Sequence, residues 1–133
     1  MDNIHMLLYL AGRVLLGGFF IISGIRHFQH LPMMAGFTGS KGVPSPKLAV
    51  MLSGLMIILG GVSILLGVRP HIGVALVTAF LVPVTLLMHQ YWKHTDPMMR
   101  INDQVNFMKN VAILGASWML LMNPQPWPNS LTL

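Results

Sequence analysis

Apolar side chains fill four long, nearly uninterrupted stretches of the chain, and charge, proline and glycine collect between them. The stretches run over about 6–25, 48–68, 72–89 and 105–122. A helix needs roughly 20 such residues to cross a hydrocarbon core of about 30 Å. No stretch carries the broad polar face that a core helix of a water-soluble bundle would show. The pattern predicts an all-α polytopic membrane protein, an antiparallel bundle of four transmembrane helices forming a single membrane domain over residues 1–133.

The connections set the path. Arg26 to Lys47 holds Pro32, Gly39, Gly42, Pro44 and Pro46 and reads as a long first loop rather than a continuous helix. Val68-Arg69-Pro70 leaves room only for a tight turn, so the second and third spans form an antiparallel hairpin. Gln90 to Gln104 reads as a polar loop. The proline-rich tail from Asn123 to Pro128 cannot be helical, and Trp127 is expected at the membrane interface. Met1 to His5 lacks the basic segment of a secretory signal, so the first span reads as a retained anchor. Leu15–Arg26 (LLGGFFIISGIR) echoes Ile58–Arg69 (ILGGVSILLGVR) without gaps. Small-residue packing accounts for the echo better than an inverted repeat does, and makes Gly17, Gly18, Gly60 and Gly61 close-approach positions.

Composition agrees with lipid as the solvent. Of 133 residues 54% are hydrophobic and 8% charged, against about 25% charged in an average soluble domain. Eight Lys/Arg against three acids leave a net charge of +5. These bases are scattered rather than striped, so no nucleic-acid partner is expected and the bilayer is the main one. The absence of cysteine excludes disulfides, zinc knuckles and cysteine-held iron–sulfur clusters. Arg26, Lys41, Lys47, Lys93 and Arg100, with Lys109 just inside the fourth span, fall on one side of the membrane, and Arg69 falls on the other. The positive-inside rule then puts the two longer loops in the cytoplasm and the termini on the non-cytoplasmic side.

Ionisable groups within a span need an explanation, because lipid offers them no partners. Arg13 lies about two turns into the first span. It either snorkels or donates to free backbone carbonyls of a neighbouring helix, or else it contacts an anion or cofactor within the bundle. The fourth span opens with Asp103, Asn106, Lys109 and Asn110, and the spacing puts the last three on one helical face. Antiparallel pairing brings His89 and Trp92 to the same depth, with Arg26, His27 and His30 at the end of the first span in that leaflet. His89, Trp92, Asn106, Lys109 and Asn110 therefore form a candidate pocket for a headgroup or quinone ring. Lys109 and Asn110 would donate to ligand oxygens, His89 would exchange a proton and Trp92 would stack. The competing reading is an interfacial belt with no specific ligand.

No metal site is expected. His27-x-x-His30 and His89-x4-His94 lack adjoining carboxylate or cysteine partners, and His71 and His89 lie at opposite ends of the third span. The twelve methionines are dispersed, as packing residues are, rather than gathered for copper. There is no nucleophile triad, phosphate loop or carboxylate pair, so the chain shows no complete catalytic apparatus.

Read in order, these segments resemble the DoxX family of small bacterial four-helix membrane proteins. The resemblance rests on Ala11-Gly12-Arg13-Val14 and Phe20 to Arg26 in the first span, then Gly42-Val43-Pro44-Ser45-Pro46 in the loop. It continues through Leu59-Gly60-Gly61, Leu65-Leu66-Gly67 and Arg69-Pro70, and covers about residues 10–122. Its most specific part is His89-Gln90-Tyr91-Trp92 followed by Asn106 to Gly115. Where many members carry a glutamate shortly before the Gly-Gly pair, this chain reads Leu55-Met56-Ile57-Ile58-Leu59, which leaves Arg13 without a countercharge. The resemblance implies a bacterial inner-membrane protein, an accessory subunit of a quinone-linked or oxidative-stress oxidoreductase system. It would work with a quinone and with a partner subunit or further copies of itself. The alternative is a non-catalytic structural or assembly protein. A small transporter is less well supported, because no span carries a sustained polar stripe.

Overall fold

A computed structural model describes residues 1–131, and no strand occurs among them. The helices are α1 (Asn3–Gln29), α2 (Leu31–Ser40), α3 (Pro46–Leu66), α4 (Pro70–Met88) and α5 (Pro97–Met119). Short 3-10 turns follow α4 (Tyr91–Lys93) and α5 (Leu120–Met122). With those turns included, α1, α3, α4 and α5 are long and apolar enough to cross a membrane. The chain is a four-span membrane bundle. The 21 residues of α3 extend about 31 Å, the thickness of a hydrocarbon core.

Proline sets where the helices start. It opens α3, α4 and α5 and lies in the first turn of α2, where its missing N–H deprives the helix of nothing. Two of the three acids are N-caps. Asp2 accepts from the His5 N–H and Asp96 from the Met99 N–H, both at 2.9 Å. These signals explain two departures from expectation. The first loop contains α2, separated from α1 only by His30, and α5 begins at Pro97, well before the expected 105.

The buried residues of α1 are Arg13, Gly17, Phe20, Gly24 and His27, one stripe at alternating spacings of four and three. On α3 the stripe is Val50, Gly54, Ile57, Gly60, Gly61 and Ile64. The two stripes meet so closely that a Cβ on Gly17 would lie 2.7 Å from the Gly61 carbonyl, and one on Gly61 would lie 2.6 Å from the Gly17 carbonyl. Gly24 packs on Gly54 in the same way, and Gly60 on Gly73 of α4. Lipid removes the hydrophobic drive between helices, so this backbone approach and the dispersion it permits hold the bundle together. A Cβ on Gly18 would meet nothing within 4 Å from the other helices, so Gly18 is not a close-approach position. The echoed segments also differ in role, since Gly17 faces α3 while its counterpart Gly60 faces α4. Phe20, Ile57, Ile64, Val74, Val77 and Leu81 form the apolar core. Outward-facing residues such as Leu7, Leu15, Ile22 and Leu59 are exposed, as a lipid-facing surface requires. In space, α1 packs on α3, α3 on α4 and α4 on α5.

Arg13 is fully buried and has a structural role at the terminal end of the bundle. α3 ends at Gly67, whose φ of 71° lies in the left-handed region, and its last carbonyls lack intrahelical donors. Arg13 fills that gap. Its Nε donates to the Ile64 carbonyl at 3.1 Å, and its terminal nitrogens donate to Leu65 at 2.7 Å and to Pro128 of the tail at 2.6 Å. Trp127 of the tail is only 2% exposed. Its ring meets Tyr9 edge-on at 5.6 Å and lies 5.6 Å from the guanidinium carbon. The Leu131 N–H closes the tail onto the Leu66 carbonyl at 3.0 Å. Of the two readings of Arg13, the geometry matches donation to a neighbouring helix's carbonyls.

Candidate functional site

At the other end of the bundle the helices diverge around two cavities. The larger, about 630 Å³, lies between α2, α3 and α4, and its wall is almost wholly apolar, with Met34, Phe37, Val50, Met56, Phe80 and Val84 among its residues. Its polar lining comes from His27, Thr38, Ser53 and His89. The smaller, about 180 Å³, fills the gap between α1, α4 and α5 and is lined by Ser23, His27, Phe80, His89 and Asn110 among others. His27, Phe80, Val84 and His89 border both, so the two histidines sit on the partition.

Each histidine is held through one ring nitrogen. The buried His27 places Nδ1 2.7 Å from the Ser23 carbonyl on its own helix, and its ring stands edge-on to Phe80 at 5.8 Å. His89 caps the end of α4 and places Nδ1 3.3 Å from one oxygen of Asp103 on α5. The other Asp103 oxygen lies 2.5 Å from Nε2 of His94. The carboxylate that seemed missing beside the His89-x4-His94 pair thus arrives from another helix. This third acid ties the loop between α4 and α5 to the cavity wall. Among the described residues, no cluster of His, Cys, Asp or Glu is arranged to hold a metal ion.

α4 also carries Pro83 in its interior, where the ring supplies no N–H to the carbonyl of Ala79 one turn earlier. Both residues line the larger cavity. The Ala79 carbonyl on α4 therefore lacks its normal helical donor.

The sequence-based pocket is only partly assembled. His89 and the buried Asn110 share the smaller cavity. Trp92, Asn106 and Lys109 border neither cavity. Trp92 stands in an edge-on aromatic cluster with Tyr91 and Phe107, and Lys109 is exposed and donates to the Asn106 side chain at 3.1 Å. Arg26 is exposed at the end of α1. His27 is the residue that the local His-x-x-His spacing obscured. The signal that finds it is the buried stripe of α1, which it terminates.

Residues 8–90, from α1 through α4, match the family model described as DoxX. Inner membrane protein YphA of Escherichia coli (strain K12) is 31% identical over 119 residues, covering 85% of this chain and 80% of that protein. No solved structure matches. With the family model spanning three of the four membrane helices and this relative extending across most of the chain, the protein belongs to the DoxX family.

Proposed function

We propose that this protein is an accessory subunit of a quinone-linked or oxidative-stress oxidoreductase system in the bacterial inner membrane, and that it binds a quinone-type molecule within the bundle. The observation that carries the reading is the 630 Å³ apolar cavity with two histidines at its inner edge. Ligand pockets commonly enclose about 300–1,000 Å³, with mostly apolar walls and a few placed polar groups. A ring would lie against Phe80 with its oxygens toward His27 and His89, and Asn110 would serve the same end from the smaller cavity. Met33 and Phe37 of α2 line the cavity yet are 69% and 50% exposed, which gives an isoprenoid tail a route into lipid. Trp92, Asn106 and Lys109 then form the outer rim toward the headgroups. The inner-membrane location is supported by the relative's name and by the four spans. The basic loops favour termini on the non-cytoplasmic side. A reporter fused to the C-terminus that is active only in the cytoplasm would contradict that orientation.

The test is extraction of the protein purified from native membranes. Quinone or quinol, together at near one molecule per chain and lost when Val84→Trp fills the cavity, supports the reading, and the absence of both from the wild-type chain contradicts it. A second reading, a non-catalytic assembly protein, is favoured by the bare outer face of α5. That helix packs chiefly on α4 and leaves Val105, Met108 and Met119 exposed. A stoichiometric partner recovered without quinone supports that alternative.

A further inference from the structure

The polar groups on the partition between the cavities differ in whether they donate or accept hydrogen bonds. A backbone carbonyl can only accept, so the 2.7 Å contact of His27 Nδ1 with the Ser23 carbonyl puts the ring proton on Nδ1. An ionised carboxylate likewise only accepts, which puts the proton of His89 on Nδ1 facing Asp103. A neutral imidazole carries one N–H, so in both rings Nε2 is left as a lone-pair acceptor. Neither Nε2 has a protein partner among the described residues. Pro83 also leaves the Ala79 carbonyl of α4 without its helical donor. At the partition between the cavities the two histidine rings therefore present acceptors, while the groups able to donate stand apart from it, Thr38 lining only the larger cavity and Asn110 only the smaller.

We propose that the site is specific for the hydroxylated, hydrogen-bond-donating form of an apolar ring, the quinol rather than the quinone, with His27 and His89 as the specificity-determining residues. This rests on the quinone-type reading above. A quinol's two O–H groups meet waiting lone pairs. A quinone offers only carbonyl oxygens, which would confront those lone pairs with no proton between them. Sites built around a ligand hydroxyl reject analogues that cannot make the bond, because the buried partner is left unsatisfied. Asp103 acts at one remove as a positioning residue: it fixes which nitrogen of His89 carries the proton, and His94 on its other oxygen holds it in place.

The experiment is a pair of anaerobic binding titrations with decyl-benzoquinol and decyl-benzoquinone. It uses the full chain in lipid nanodiscs. The quinol is expected to bind about tenfold or more tighter than the quinone. Asp103→Leu removes the acceptor that holds the ring proton on Nδ1, so His89 can carry it on Nε2 and donate; the preference should shrink by a similar factor, with quinone affinity rising. A purely structural role for Asp103 would weaken both ligands alike. His27→Gln, which introduces an amide donor, is expected to shift the preference in the same direction and serves if the first variant does not fold. Equal affinities in the wild type, or tighter quinone, overturn this inference and leave quinone-type binding standing. Binding of neither form overturns both.

Discussion

Replacing Arg13 should loosen both the end of α3 and the tail that closes over it. The side chain makes three hydrogen bonds, to the carbonyls of Ile64, Leu65 and Pro128. Hydrogen bonds to charged groups contribute about 1.5–3 kcal/mol each in soluble proteins, while bonds inside membrane bundles average nearer 0.6 kcal/mol. The sum for three lies between about 2 and 9 kcal/mol, and the desolvation regained when a buried charge is removed cuts the upper end. Arg13→Leu, which keeps the apolar stem, is therefore expected to destabilise by about 2–4 kcal/mol. The control is Arg13→Lys. A lysine snorkels as readily as an arginine, but a single ammonium cannot span three carbonyls held in a fork. Capping predicts that lysine recovers less than half of the loss. The assay is reversible unfolding in mixed micelles with Trp92 and Trp118 changed to Phe, so that fluorescence reports Trp127 alone. Release of the tail should appear as exposure of Trp127 ahead of global unfolding. A lysine variant as stable as the wild type, or a leucine variant within about 0.5 kcal/mol of it, would refute the capping role.

Other outcomes follow from the same packing. Gly61→Ala places a Cβ 2.6 Å from the Gly17 carbonyl and should cost about 1–3 kcal/mol in micelle unfolding. Gly18→Ala meets nothing within 4 Å and should be neutral or stabilising by up to about 1 kcal/mol. Ser63→Ala removes a hydroxyl that donates to the Val68 carbonyl at 2.7 Å across the α3–α4 turn, costing about 0.5–1.5 kcal/mol in the same assay. In ligand titrations, His89→Ala should weaken quinol binding about tenfold or more. Lys109→Ala should leave it within about twofold, since Lys109 borders neither cavity.

How much of this was legible in the sequence depended on the scale of the signal. The four spans were readable because lipid demands length and apolarity, and nothing else in the chain imitates them. Their starts were readable in principle. Asp96-Pro97 is an N-cap followed by a first-turn proline, and it marks α5 well before apolar residues dominate. Pro32 and Gly39 made the first loop look irregular, yet a proline in the first turn is compatible with a helix, and α2 formed there. Arg13 and His27 lie on the same stripe as Gly17, Phe20 and Gly24, a spacing that distinguishes a bundle-facing residue from a snorkelling one. The site was harder to read. Spacing put Lys109 beside Asn110, but adjacent helical positions diverge by about 100°, so one is buried and the other exposed. The Asp103–His94–His89 link joins two elements across a loop, and the cavity depends on how far α2 stands from α4. Neither follows from local pattern.

The central claim, that an apolar ring-bearing ligand lies inside the bundle, is tested most directly by photo-crosslinking. A photoreactive azidoquinol, held reduced under anaerobic conditions, would be bound to the protein in nanodiscs and its adducts mapped by peptide mass spectrometry. The account predicts adducts concentrated on the cavity residues Met34, Met56, Phe80 and Val84, suppressed by excess unmodified ligand. Adducts spread over outward-facing residues such as Leu7, Leu15 and Leu59, and insensitive to competition, would contradict it.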